Sequence, residues 1–263
     1  MTVTVPAYTT KLQAGLGLIP ETEKLLHLWE PGMSSRALLD RALDAGDFPT
    51  MTARRLRNII SEGFAPRYLV NDAQPAAVLK SMQQVLSEDD RRQLYLLFTS
   101  RANPILADFV RDMYWPQYTA GATALTKRDA LTFVEDAVAE GRTTTSWSES
   151  TRTRVSSYLL GACADFGLLG NMEAGGRKIK SFRPTSFVTT FLAHDLHFRG
   201  LGDGAVLNHQ DWHLLGLGAG DALAELKQIA MRGEVIVQSA AGLVQISWKH
   251  KNMEELAHAV THS

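Results

Sequence analysis

The chain has 263 residues, a formal net charge of −1 and 45% apolar residues. A near-neutral total excludes a polycation that grips nucleic acid over its whole surface, so any such attraction must come from a local patch. With one cysteine, Cys163, no internal disulfide can form, which favours a reducing compartment.

No apolar run approaches the roughly 20 residues that span a bilayer. Met1–Tyr8 lacks the charged start and apolar stretch of a signal peptide. Both readings lead to the expectation of a cytoplasmic protein without a membrane partner.

Taken in chain order, Met1–Tyr8 is rich in β-branched residues, contains Pro6 and reads as an extended arm. "PETEKLLHLWE" has a proline ahead of acidic residues and then Leu25, Leu28 and Trp29, a helix start with an apolar face. "SSRALLDRALDAG" predicts a helix closed at Gly46. "TMTARRLRNIISEGF" offers Thr50 or Thr52 as cap, Leu56, Ile59 and Ile60 as the buried positions, and Gly63 as stop. "QPAAVLKSMQQVLSEDDRRQLYLLFTSRANP" predicts one or two helices, interrupted near Ser87 and ended before Pro104. "PILADFVRDMYWPQY" predicts another, stopped by Pro116.

The pattern changes from Gly121. Thr126 with Asp129 three residues on caps a helix whose stripe is Leu131, Val134 and Val138. Ser146 and Glu149 have the same spacing before Val155, Leu159, Ala162, Cys163 and Phe166, which recur at helical intervals until Gly167 and Gly170. "EAGG" is a turn and "RKIKSF" has a strand-like period. "SFVTTFLAHDLHF" and "GDALAELKQIAMRG" predict helices. "EVIVQSAAGLVQISWK" predicts a hairpin turning near Ala241-Gly242, and "NMEELAHAV" a last helix. "RGLGDGAVLNHQ" is the best linker candidate. The expected fold is mainly α: a helical bundle over 1–120, a winged-helix-like module over 121–190, and a helix–hairpin–helix region over 191–263.

The chemistry-bearing feature is charge. Between Arg142 and Arg183, seven basic residues against three acidic ones leave +4 in a chain of net −1. Three helices followed by a two-stranded hairpin is the order of a winged helix, in which the third helix enters the major groove and the wing follows phosphates. Arg152 and Arg154 then lie on the groove-facing helix, where Arg154, Ser157 and Gly161 share a side permitting close approach. Arg177, Lys178, Lys180 and Arg183 form the wing's phosphate contacts. Arg54, Arg55 and Arg57 offer a second backbone patch. The bland alternative is a set of solvated helix faces around a structural helix–hairpin unit.

Signals for catalysis are weak. His194, Asp195 and His197, or His209, Asp211 and His213, offer metal-ligating types without a HExxH pattern or a cysteine partner. Cys163 lies on an apolar helix side and reads as packing. "GLGLIP", "GLGDGA" and "GLGAGDA" lack the lysine of a P-loop or the preceding strand of a dinucleotide site. The expectation is a chain that is not an enzyme and holds no metal or cofactor.

"YTTKLQAGLGLIPETEKLL", "DFVRDMYWPQYTAG" and "WSESTRTRVSSYLLGACADFGLLG", in that order, resemble the BrxA family of bacteriophage exclusion (BREX) defence systems over roughly the first 190 residues. The resemblance implies a helical fold, a bundle likened to that of an RNA-binding antitermination factor, and a DNA-binding accessory role without catalysis. It supplies no active-site residues. Duplex DNA and other BREX proteins are the partners it implies. The alternatives are an assembly adaptor anchored by Trp115, Tyr118 or Trp147, all equally readable as core, and an RNA-binding protein.

Overall fold

A computed structural model describes residues 7–14, 17–240 and 243–262. It is mainly helical, with short antiparallel strands only. The chain divides into two compact units. One holds the chain up to Ala77 together with Tyr95–Phe182; the other holds Val78–Leu94 and the chain from Arg183 onward.

In the first unit a 3-10 turn (Lys11–Ala14) precedes α1 (Ile19–Leu28) and α2 (Ser35–Ala45). Ser34 caps α2 by accepting from the Ala37 amide, and Gly46 closes it at φ +70°. α3 (Ala53–Asn58) starts at Thr52, whose hydroxyl accepts from the Arg55 amide. Two expected stops do not stop the helix. The chain passes Gly63 in a π-turn (Ile59–Phe64) and continues as α4 (Ala65–Tyr68) through Pro66. After α5 (Gln74–Met82), α6 (Glu88–Ala102) and α7 (Pro104–Asp108), a second π-turn (Phe109–Tyr114) leads through Pro116 into α8 (Trp115–Thr119).

The reason is the same in both places. Proline has no N–H to give and its ring crowds the carbonyl four residues back. A π-turn ending two residues before each proline widens the rod there, and the helix runs on. Gly63 serves packing instead of termination: a Cβ on it would stand 2.8 Å from the Leu18 side chain.

Of the expected N-terminal arm, Met1–Pro6 lie outside the described residues, and Tyr8 is fixed. Its backbone forms a parallel bridge to Thr143, donating to the Arg142 carbonyl at 2.7 Å and accepting from the Thr144 amide at 3.0 Å. Its hydroxyl donates to Asp108 Oδ2 at 2.6 Å, and the Arg142 guanidinium lies 4.6 Å from the ring centroid. Asp108 also pairs with Arg111 and with Arg142 Nη2, the latter at 2.6 Å. Burial, and then the neighbouring Asp108 carboxylate, push the Tyr8 hydroxyl far above its ordinary range.

The unit ends with β1 (Ala124–Leu125), α9 (Lys127–Ala139), α10 (Glu149–Asp165), β2 (Leu169–Glu173) and β3 (Gly176–Ile179). The three strands form an antiparallel sheet in the order β1-β3-β2. The Thr126/Asp129 capping box starts α9. The cap of α10 is Ser148, which accepts from the Thr151 amide, and not Ser146, because the β-region backbone sits at Ser148. Gly176, at φ +121°, lets β1 approach: a Cβ there would be 2.5 Å from the Leu125 carbonyl oxygen.

The second unit holds α11 (Ser186–Phe198), α12 (Asp203–Leu207), α13 (Asp211–Leu214), α14 (Ala219–Met231), β4 (Val235–Ala240), β5 (Leu243–Trp248) and α15 (Met253–Thr261). α12 lies inside the segment expected as a linker, since Val206 and Leu207 are buried there. β4 and β5 pair in the expected hairpin, whose turn residues Ala241-Gly242 lie outside the described residues. Thr185 caps α11 and donates to Asp90 Oδ1 at 2.5 Å, while the Gln93 amide donates to the Arg183 carbonyl at 3.0 Å.

His194 is fully buried in this unit. Its Nδ1–H donates to the Thr190 carbonyl at 2.8 Å, and its Nε2 has no partner. Burial holds its pKa at about 4 even with Glu234 nearby; His250 and His197 add to the lowering. The unfolded chain takes up this proton near pH 6.5. The associated stability is therefore complete above that value and drains as pH falls toward about 4. The loss at that lower limit is about 3 kcal/mol. Urea denaturation of the wild type is expected to show this acid-induced loss between pH 7 and pH 4.5, and a His194→Phe variant to lose much of the pH slope.

Candidate nucleic-acid interface

α9 and α10 pack against each other, and the β2–β3 hairpin follows directly on α10. The apolar stripe reads out as expected: Val155, Leu159, Ala162, Cys163 and Phe166 are all buried. Burial pushes the Cys163 thiol up, so it is an inert packing group. The far end of α10 is held by Asp165, whose Oδ2 accepts from the Gly17 amide at 2.8 Å.

α10 is open to solvent along its first half and again at Asp165, its last residue. Ser150, Thr153, Arg154 and Ser157 are exposed, whereas Leu159–Cys163 are buried all round. Gly161 therefore does not extend an open face with Arg154 and Ser157; it is buried with its neighbours because the helix sinks into the unit there. Arg154 is exposed with no ion-pair partner among the described residues. Arg152 is half-buried, and its Nε lies out of water without a hydrogen-bond partner.

The hairpin divides its basic residues by the strand period. Lys178 and Lys180 lie on one side and are exposed; Arg177 and Ile179 lie on the other and are half-buried. Arg177 Nη1 donates to the Gly170 carbonyl at 3.0 Å, tying β3 to β2, and its Nε is buried without a partner. Its charge also bears on the Cys163 thiol. Arg177 is thus a brace of the hairpin, and the hairpin's exposed cations are Lys178 and Lys180.

Arg183 is exposed but opens the second unit, so it is not part of the hairpin's own unit. Arg54, Arg55 and Arg57 are all exposed on α3. α3 runs into the π-turn that packs on the Lys11–Ala14 turn, which in turn packs on α10. Next to the hairpin, the Tyr114 hydroxyl donates to the Lys180 carbonyl at 3.4 Å, and Trp115 meets Tyr114, Tyr118 and Phe182 edge-on. Trp147 is buried; Trp115 and Tyr118 are half-buried in this aromatic group. The strand period could have assigned Arg177 to the inner side from sequence; nothing in the sequence marked Asp108 as the anchor of three partners.

Among the described residues, no group of three or more His, Cys, Asp or Glu side chains is placed to hold a metal. None of the helices described is long and apolar enough to cross a membrane.

The described residues form a mainly helical protein with small helix–hairpin elements. The chain belongs to the BrxA family, whose sequence model matches residues 6–195. Among solved structures, it resembles an uncharacterized protein from Magnetospirillum magneticum at 17% identity and a TM-score of 0.56, covering 73% of this chain and 95% of that one. That likeness concerns the fold alone. No curated protein matches the chain.

Proposed function

We propose that this chain is a non-catalytic, duplex-DNA-binding accessory protein of a BREX defence system, working beside other BREX proteins. In this reading the helix over 104–115 (α7 with the π-turn after it), β1, α9, α10 and the β2–β3 hairpin act as a winged-helix module: α10 is its groove-facing helix and the hairpin its wing. The observation that carries the reading is the pairing of two open features on one helix–hairpin unit. The first half of α10 presents Ser150, Thr153, Arg154 and Ser157 to solvent, and the adjoining hairpin presents Lys178 and Lys180. Hydroxyls and an arginine at the N-terminal end of such a helix suit groove contact, and paired lysines on a wing suit phosphates.

The strand order β1-β3-β2 supports the same reading, since a short strand ahead of the helix pair completes the sheet of a winged helix. Arg54, Arg55 and Arg57 would add a second set of backbone contacts, and Arg152 a contact through whichever of its N–H groups reaches solvent. Arg177 contributes by holding the wing in shape. The test is a gel-shift series with duplex DNA, single-stranded DNA and hairpin RNA of matched length. The duplex is expected to shift at the lowest protein concentration. A shift confined to RNA would transfer the module to the RNA-binding alternative, and no shift with any of them would leave the adaptor reading in its place.

A further inference from the structure

α9 carries its charges against its own dipole. It begins with Lys127 and Arg128, and towards its end come Glu135 and Asp136, with Glu140 as the C-cap. The helix macrodipole favours the reverse order, anions at the start and cations at the end. Asp129 does follow the rule, as the capping partner: its Oδ2 accepts from the Thr126 amide and hydroxyl, both at 2.8 Å. Lys127 and Arg128 are exposed, and neither side chain has an ion-pair or hydrogen-bond partner among the described residues. Two cations that weaken their own helix and engage nothing within the chain are the kind of local rule-breaking that a functional surface explains.

The start of α9 lies against the β2–β3 hairpin. A Cβ on Gly176 would stand 3.1 Å from the Thr126 Cα, and Lys127 is the next residue along. β1 leads into α9 at this point, with Ala124 paired to Lys178 and Leu125 to Arg177. Residues opposite each other on paired strands share a face. Buried Leu125 therefore marks the inner face with Arg177, and Ala124 the outer face with Lys178. Lys180 is on the outer face too: a Cβ on Gly170 would lie 3.6 Å from Lys178 Cβ and 3.9 Å from Lys180 Cγ. The Lys127 and Lys178 backbones are then within about 15 Å of each other. Side chains of a first helical turn tilt toward the helix start, here toward β1 and the hairpin. Over 123–129 and 170–180 the acidic residues are Asp129, held in the cap, and Glu173. Glu173 is exposed and pairs with Gly176, so it shares the outer face with the lysines.

We propose that Lys127 and Arg128 form a second phosphate-binding site, which takes the sugar-phosphate backbone of a duplex next to the stretch held by Lys178 and Lys180. The site rests on the duplex-DNA reading of this module. Its ligand follows from charge: four exposed cations stand against one exposed carboxylate around the start of α9 and the hairpin. Such contacts fix the position of the duplex and carry no sequence preference. Glu173 opposes them from the same face, so it sets a limit on how tightly the backbone is held.

The full chain, a Lys127→Gln/Arg128→Gln double variant and a Glu173→Gln variant are titrated against one duplex by fluorescence anisotropy at several salt concentrations. The double variant is expected to bind about tenfold more weakly, with the slope of log K against log salt shallower by about two. Its melting temperature is expected to equal or exceed that of the wild type, since the helix start loses two unfavourable charges. Glu173→Gln is expected to bind about twofold to fivefold tighter at low salt, a gain that no folding defect produces. A wild type that binds duplex and a double variant that matches its affinity and slope overturn this site alone and leave the α10 and wing contacts standing. A double variant that binds weakly and also melts below the wild type makes these residues structural and overturns the site as well. A wild type that binds no duplex overturns the reading on which the site rests, and the site with it.

Discussion

Replacing Lys178 and Lys180 together by alanine is expected to lower duplex-DNA affinity about tenfold to thirtyfold at moderate salt, equally on unrelated sequences. Both side chains are exposed and have no ion-pair partner among the described residues, so their removal leaves the hairpin's internal contacts alone. Arg177→Ala is expected to behave differently. It removes the guanidinium that donates to Gly170, so its first effect is a lower melting temperature with little change in salt dependence. Fluorescence-anisotropy titrations of the two variants beside thermal melts separate a phosphate contact from a brace. If Arg177→Ala changes the salt dependence as much as the lysine pair does, the assignment of faces on β3 is wrong.

The largest expected effect on stability comes from Asp108, far from any basic patch in sequence. Its carboxylate accepts from the Tyr8 hydroxyl and pairs with both Arg111 and Arg142, and its side chain is 14% exposed. Asp108→Ala would leave two guanidinium groups and a hydroxyl facing one another without their common acceptor. Breaking a buried ion pair from one side costs about 3–5 kcal/mol. The lower end applies here, because Arg142 remains 31% exposed and regains some water. About 3 kcal/mol lowers the melting temperature of a unit this size by roughly 6–12 °C. Asp108→Asn, which keeps one acceptor oxygen, turns the other into an NH2 donor and loses the charge, is expected to fall between. A melt of Asp108→Ala within 2 °C of the wild type would contradict the network's role.

The helices were legible because their signals are local. Gly46 closes α2 and Thr126 caps α9 where expected, Thr52 is the one of the two offered caps that starts α3, and α11, α14 and α15 fall on segments expected to be helical. What misled was punctuation read without packing. Gly63 and Pro116 look like stops, yet π-turns carry the rod past Pro66 and Pro116, and Gly63 is needed for the approach of Leu18. Ser146 and Ser148 both satisfy the local rule for a cap; the backbone bend decides for Ser148.

For the candidate interface, composition located the basic module but could not sort its residues. Lys178 and Arg177 are equivalent in a charge count and opposite in the strand. Gly161 shares a helical side with Arg154 on a wheel, but it lies where α10 enters the unit, and depth along a helix axis has no signature in a periodic pattern. Asp108 and Tyr8 are 100 residues apart, and such long-range pairs leave no trace in one sequence.

The salt dependence of duplex binding tests the central claim most directly. If Arg154, Lys178 and Lys180 each neutralise one phosphate, log K falls against log salt with a slope of about −3. A fuller set that includes the α3 arginines steepens it toward about −5. A slope in that range is expected for the wild type, shallower by about two in the Lys178/Lys180 double variant. Binding that is insensitive to salt, or a slope that the double variant leaves unchanged, would contradict it.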